Sequence, residues 1–262
     1  MRRGLAPSRE QAQADIAAGR VTVAGAPATK AARLVAPDEA LVLLGPPPRF
    51  VGRGGEKLDA ALTRFEVSVA GRRALDVGAS TGGFTDCLLQ RGASHVVALD
   101  VGYGQLHERI RGHPQVDVRE RTNIRSVAPG ALGPPAELIV ADLSFISLRT
   151  VLPSILALGA PGADIVALVK PQFEAGRAEA ARGRGVITDP AVWRRVLEEV
   201  AGALIELEAA IMGVMASPLR GADGNVEFLL HARSTMPGDH AVEAMIDGAM
   251  DEATELVAED QR

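Results

Sequence analysis

Two lysines and two carboxylates each close a short apolar run or a glycine-containing stretch. They are Lys57 in Arg53-Gly54-Gly55-Glu56-Lys57, Asp142 in Ala141-Asp142-Leu143-Ser144-Phe145, Lys170 in Val169-Lys170-Pro171-Gln172, and Glu227 in Gly224-Asn225-Val226-Glu227. A lysine held near a second ammonium and partly withdrawn from water has a lowered pKa, so some neutral amine becomes available as a base. Removing the proton of a weakly acidic sugar hydroxyl requires such a group. Any one of the four alone reads as an ordinary ion pair.

A second signal is continuous in the chain. Leu75-Asp76-Val77-Gly78-Ala79-Ser80-Thr81-Gly82-Gly83-Phe84-Thr85 runs an apolar strand into a glycine-rich turn that opens a helix. Glycines there let the main chain approach a ligand closely, and a helix start offers free N–H groups. Asp100 closes the next apolar run, 24 residues after Asp76. In nucleotide-binding α/β sheets an acid at that place accepts hydrogen bonds from ribose hydroxyls.

Three ligand chemistries compete for this turn. Ser80 occupies the second glycine position of G-x-G-x-x-G, which disfavours a nicotinamide dehydrogenase. Gly78-Ala79-Ser80-Thr81-Gly82 does spell G-x-S-x-G, the nucleophile elbow of α/β-hydrolases, with Asp142 and His231 in the expected order. Hydrolases, however, place several strands and an oxyanion loop ahead of the elbow, and here only a compact head precedes it. An S-adenosylmethionine pocket uses the turn for the methionine end and Asp100 for the ribose, and so accounts for both features.

The elements that must position these residues are legible from periodicity. A helix is expected over Ser8 to Ala18, with Ser8 and Gln11 in capping-box spacing, followed by short strands at Val21 to Val23 and Leu41 to Leu44. Gly45-Pro46-Pro47-Pro48 reads as a linker. Beyond it, apolar runs alternate with helical segments, the signature of βαβ units. Strands are expected at Ala74 to Val77, His95 to Val101, Val116 to Val118, Leu138 to Ala141, Ile165 to Val169, Ala210 to Met215 and Val226 to His231, with the last two antiparallel. Val242, Met245, Ile246, Ala249, Ala253, Leu256 and Val257 fall at helical spacing on an acidic tail, predicting a helix packed on the body. The expected organisation is a head over residues 1–45, a linker over 46–57, a body over 58–233 and an acidic tail over 234–262.

Composition narrows the partners. The chain has 262 residues, 47% hydrophobic and 23% charged, which suits a packed globular protein and excludes extended disorder for most of it. Its single cysteine, Cys87, excludes an internal disulfide and a cysteine-built zinc site. The opening MRRGLAPSREQ has no apolar signal region and no run approaches 18 apolar residues, so a cytoplasmic protein is expected. No basic amphipathic helix supports membrane lysis. The net charge of −5 conceals a gradient: residues 1–57 carry nine Lys/Arg against five Asp/Glu, and residues 234–262 carry one Arg against eight acids. A basic head predicts an anionic partner at that end. Aromatic residues, at 3%, are too few for a platform that stacks many bases.

These residues resemble the TlyA family of rRNA cytidine 2′-O-methyltransferases, once labelled haemolysins, whose body is similar to FtsJ-type RNA methyltransferases. The likeness spans residues 2–233. Its anchors are Asp76 to Phe84, Leu99-Asp100-Val101-Gly102-Tyr103-Gly104-Gln105-Leu106, Arg121-Thr122-Asn123, Ala141 to Leu148, Leu168 to Phe173, Ala216-Ser217-Pro218 and Gly224 to Glu227. The head resembles an S4 RNA-binding domain at Ser8-Arg9, Ala12, Ile16, Gly19, Val21, Val23, Gly25 and Lys30. The S4 pattern usually carries a further helical stretch before Arg3, so either the start is misassigned or the head is a short variant; the short start leans toward the form acting on the large ribosomal subunit alone, with the small subunit as a second target.

The resemblance implies an α/β, Rossmann-like S-adenosylmethionine-dependent methyltransferase with a small S4-like α+β head, acting on ribosomal RNA without a metal. It places a lysine-aspartate-lysine-glutamate tetrad on Lys57, Asp142, Lys170 and Glu227, with Lys170 as base, Lys57 and Asp142 positioning it and Glu227 orienting the array; the roles inside the tetrad are interchangeable at this stage. Cofactor contacts are expected from Asp76, Gly78, Ala79, Ser80, Thr81, Gly82, Gly83, Phe84, Asp100, Asn123 and Asp142. RNA contacts are expected from Arg3, Ser8, Arg9, Arg20, Lys30, Arg49, Phe50 and Arg53; some relatives have tryptophan in place of Phe50, which is expected to pack or to stack. The other classes are an RNA-binding ribosome-assembly factor without catalysis and, less favoured, a serine hydrolase using Ser80.

Overall fold

A computed structural model describes the chain except residues 1, 2, 4, 7, 8, 46, 47, 177, 178, 180–182, 184, 235–240 and 260–262. The expected cap at Ser8 and part of the proline linker lie outside the described residues. The head contains α1 (Arg9–Ala17) and three short strands, β1 (Val21–Val23), β2 (Ala26–Pro27) and β3 (Leu41–Leu43), in the order β2-β1-β3 with both pairings antiparallel.

In the body α2 (Gly54–Arg64) precedes β4 (Arg73–Val77), α3 (Gly83–Gln90), β5 (His95–Leu99), α4 (Glu108–Arg111) and β6 (Val116–Arg119). Then follow β7 (Ala136–Ala141), α5 (Leu148–Ala157), β8 (Gly159–Val169), α6 (Pro171–Glu174), α7 (Pro190–Glu206), β9 (Ala209–Ala216), β10 (Phe228–Ser234) and α8 (Val242–Glu259). The seven strands order as β6-β5-β4-β7-β8-β10-β9. Strands β4 to β8 pair in parallel, while β10 runs antiparallel to both β8 and β9, the hairpin predicted for the last pair. A Rossmann-like sheet with a small three-stranded head is the fold class read from the sequence.

The chain order reverses between β4 and β7, and such a switch point opens a crevice beyond the carboxyl ends of those strands. Val77 and Ala141 are register partners there, so Gly78 and Asp142 emerge side by side, and Asp142 N donates to Val77 O at 3.0 Å. Both faces of the sheet are covered, which explains the unbroken apolar strands. One face buries Leu58, Leu62, Phe84 and Leu88 of α2 and α3; the other buries Val151 and Leu152 of α5, Trp193 and Leu197 of α7, and Ile246, Ala249, Met250 and Ala253 of α8. The acidic tail thus packs by its predicted stripe.

Local details differ from expectation, and the longest shift is at β8, which begins at Gly159, six residues before the expected Ile165. β5 stops at Leu99 because the Asp100 carboxylate accepts N–H groups from Ser80 and Gly102 and turns the chain away from the sheet. Residues 49–57, expected as linker, pack largely on the body: α2 starts at Gly54, Phe50 and Val51 are buried, and Val51 N donates to Asp86 at 2.8 Å. β10 begins at Phe228, leaving Glu227 in the loop before it. Among the described residues no helix is long and apolar enough to cross a membrane.

Candidate active site

The glycine turn is bent by necessity. Gly78 and Gly82 have φ of 90° and 93°, a region that side-chain-bearing residues adopt at a cost, and Ser80 between them also takes a positive φ of 48°. A Cβ on Gly78 would lie 2.3 Å from the Asp142 carbonyl oxygen, so only glycine permits the two strand ends to approach. Asp100 grips the turn from the neighbouring strand: Oδ2 accepts from Ser80 N at 2.7 Å and Oδ1 from Gly102 N at 2.6 Å. Asp100, Asn123, Gly78, Ser80, Asp142 and Leu143 line part of a cavity of about 450 Å³. Asn123 Oδ1 accepts from Arg125 N at 3.0 Å, which holds the side chain at that rim.

Asp76 behaves differently from the expected cofactor ligand. It is wholly buried, lines neither this cavity nor the next, and accepts Thr85 Oγ1–H on Oδ2 at 2.6 Å. It therefore braces the first turn of α3 against β4 and reaches a ligand only through the loop it supports. Among the described residues its Oδ1 has no hydrogen-bond partner, and burial pushes the carboxyl up to about 7; the Thr85 hydrogen bond opposes this, and the nearby Asp142 and Asp100 charges reinforce it.

A second cavity, of about 240 Å³, adjoins the first through Gly78, Ser80, Asp142 and Ser144, which line both. Its wall contains Lys57, Asp142, Lys170 and Glu227 together. Lys57, buried on α2, donates to Glu227 Oε2 at 2.6 Å. Lys170, at the end of β8, lies 2.5 Å from Asp142 Oδ1 and 3.2 Å from Ser144 Oγ. Gln172 Nε2 donates to Glu227 Oε1 at 3.3 Å, and the bare α-carbon of Gly221 leaves room for that carboxylate. The sequence placed ammonium beside ammonium; the structure gives each lysine a carboxylate. Ala79, Thr81, Gly83 and Phe84 line this charged cavity, whereas Gly82 lines neither and packs toward Leu106 and Ile110.

The residues expected to touch RNA divide into groups. Arg9 and Lys30 are exposed on the head. Arg3 is exposed, but its guanidinium already donates to the carbonyls of Ala36, Pro37 and Glu39. Arg20 pairs with the buried Asp15, and Arg49 pairs with Asp59 at 2.5 Å. Phe50 is 4% exposed and packs in the core beneath α2, so it holds the segment rather than stacking on a base. Arg53 lines the charged cavity, and Ser8 lies outside the described residues.

Two aromatics escaped sequence reasoning, Tyr103 with Arg121 4.1 Å over its ring and Phe145 at 91% exposure. The available signal was position, since each follows a strand-end acid at the carboxyl edge of the sheet. The hydrolase triad does not assemble. Asp142 pairs with Lys170, and His231, buried in β10, bonds Asp164 at 2.8 Å and stacks on Phe65. Ser80 Oγ faces Gln105 Oε1 at 3.5 Å and neither Asp142 nor His231.

Comparison with known proteins agrees with this geometry. Residues 50–234 match the FtsJ-like methyltransferase family and residues 2–41 the S4 domain. The 16S/23S rRNA (cytidine-2′-O)-methyltransferase TlyA of Mycobacterium tuberculosis is 52% identical over 235 residues, 89% of this chain and 87% of that protein. The 23S rRNA (cytidine-2′-O)-methyltransferase TlyA of Campylobacter jejuni is 32% identical over 182 residues, 70% of each chain. A solved Streptococcus thermophilus protein described as a hemolysin superposes with a TM-score of 0.83 at 35% identity, covering 99% of this chain and 95% of that one. With both domains matched in order and the mycobacterial protein alike across nearly the whole length, this chain belongs to the TlyA family, an S4 domain followed by an FtsJ-like methyltransferase.

Proposed function

We propose that the chain transfers the methyl group of S-adenosylmethionine to the 2′-oxygen of a cytidine in ribosomal RNA. The observation that carries this reading is the shared wall at Asp142: a glycine-cradled cavity with a ribose-type acid opens directly onto a cavity holding two lysines and two carboxylates.

The residues suit the cofactor. Gly78, where a Cβ would strike the Asp142 carbonyl, lets the turn close against the neighbouring strand end and offer main chain to the ligand, and Asp100 and Asn123 stand at the rim for the ribose and base. S-adenosylmethionine, when bound, supplies an electrophilic methyl on a sulfonium whose thioether is a good leaving group. The chain's own work is therefore placement and electrostatics rather than covalent catalysis. Lys170, as the amine, takes the 2′-hydroxyl proton on Nζ, and Asp142 Oδ1 at 2.5 Å holds the ammonium that forms. Lys57, clamped by Glu227, presents its charge to the oxygen as negative charge develops.

The finer partner assignment follows the head. Arg9 and Lys30 dock on phosphate, and the 2′-hydroxyl itself marks RNA against DNA. Drawing the target nucleotide out of its stack costs about a few kcal/mol. The mycobacterial relative carries both ribosomal RNAs in its name and the more distant Campylobacter one carries only 23S, which supports action on both subunits here.

The test is transfer of labelled methyl from S-adenosylmethionine to isolated small and large subunits, followed by mapping of 2′-O-methyl groups. Label on cytidine 2′-oxygens is expected. RNA binding without cofactor uptake in calorimetry would instead mark an assembly factor.

A further inference from the structure

Lys170 and Asp142 sit on loops from different strands, and their 2.5 Å pairing needs those loops held together. The parallel pairing of β7 with β8 brings the strand ends together, and beyond them a further tie comes from Glu174, which is 5% exposed and one turn after Lys170. Its carboxylate leaves α6 and crosses to the start of α5, in the segment that follows Asp142. Oε2 accepts Ser147 Oγ–H at 2.5 Å and Oε1 accepts Leu148 N–H at 2.6 Å. Ser147 precedes the first helical residue without capping it with its own side chain, so Glu174 supplies the missing cap from another element. On its own side, Glu174 N and Phe173 N donate to the Lys170 carbonyl at 3.2 and 2.9 Å, tying the short helix to the lysine's main chain. The Phe145 and Phe173 rings, 5.1 Å apart, close the same junction from outside.

We propose that Glu174 is a positioning residue for methyl transfer: it staples the Lys170 loop to the Asp142 loop and so fixes the base against its carboxylate partner. The proposal rests on the methyltransferase reading above. Arg149 Nε is 3.6 Å from Glu174 Oε2, longer than the two neutral contacts, and burial raises the Glu174 pKa. The staple therefore depends on the reach of the side chain more than on its charge. A glutamine keeps that reach and can still accept Leu148 N–H; an aspartate keeps the charge but is one methylene too short to span both contacts.

The experiment measures kcat and KM on isolated ribosomal subunits for wild type, Glu174→Gln, Glu174→Asp, Glu174→Ala and Lys170→Ala, at a temperature where circular dichroism shows each variant folded. Displacement on the ångström scale lowers turnover by up to about 100-fold, so kcat should fall steeply in Glu174→Ala, by about tenfold in Glu174→Asp and by less than about threefold in Glu174→Gln. KM for the subunits should stay within about twofold, because the RNA-facing surface is unaltered. If Glu174→Ala does not fold, the aspartate and glutamine pair decides. Wild-type kcat in Glu174→Asp, a larger loss in Glu174→Gln than in Glu174→Asp, or a change confined to KM overturns the staple. Equal rates across the Glu174 variants beside an inactive Lys170→Ala overturn it alone, whereas absence of transfer by the wild type overturns the methyltransferase reading with it.

Discussion

The two cavities that meet at Asp142 are assembled in opposite ways. The nucleoside-type cavity is a main-chain construction: a bend between β4 and α3, allowed to close against the Asp142 carbonyl by Gly78 and pinned by one carboxylate from the next strand. The charged cavity is a side-chain construction, whose Lys57 and Glu227 are 170 residues apart and meet only because β10 folds back beside β8. A backbone cradle tolerates changes in side-chain chemistry and fails when a Cβ intrudes. An ion-paired array tolerates small changes in backbone and fails when one charge is removed.

That contrast can be broken or sharpened by substitution. The largest effect is expected in the charged cavity, where Lys170→Ala should reduce methyl incorporation by about 100-fold to 10,000-fold, the range for loss of a general base. Lys57→Ala should also reduce it, and undiminished transfer in both variants would remove the base assignment. On the cradle side, Gly78→Ala forces a Cβ against the Asp142 carbonyl and should impair cofactor binding and turnover together, read by calorimetry and initial rates.

Asp100→Ala strips Ser80 N and Gly102 N of their acceptor and should weaken cofactor binding by about tenfold or more while subunit binding persists. Loss of subunit binding alone would show that the nucleoside cavity has been misassigned.

Asp76 yields a smaller, pH-dependent effect. Its carboxyl is pushed up to about 7 in the folded chain against an ordinary 3.8, so the folded state holds the proton more tightly than the unfolded one. The stabilisation is complete below the ordinary value and is lost as pH rises through about 7. Relative to Asp76→Asn, the wild type should lose up to about 1.4 kcal/mol per pH unit across that window, measured by denaturant unfolding. The smallest effect is expected for Ser80→Ala: a methyltransferase should keep its rate within about threefold, because the hydroxyl has only a 3.5 Å contact to Gln105, too long for a strong hydrogen bond. A hydrolytic activity of the wild type that this variant abolishes would revive the hydrolase.

Much of this was legible because the signals are local. The alternation of apolar runs and helical segments placed all seven body strands, but not all their ends: β5 stops short at Asp100, β10 runs on to Ser234, and β8 begins six residues before the expected Ile165. The four charged residues that line one cavity were also singled out from their positions after strands or in loops. Their partners were not. Nothing near Lys170 in the chain announces that Asp142 is its counter-ion, and nothing near Phe50 says that α2 will cover it. Asp76 was read as a ligand because it sits beside the glycine turn, yet alternation along β4 points its side chain beneath α3.

By itself the sequence determined the α/β class, the turn at Gly78 to Gly82, the acid beyond β5 and the membership that long matching runs carry. These follow from backbone conformational demands and side-chain periods, which act over a few residues. Only the tertiary structure decided which amine faces which carboxylate, that Phe50 is core and not contact, and that Glu174 reaches across to α5. Those are distances between elements set by strand order, and strand order is fixed by the burial of both sheet faces together rather than by any single segment.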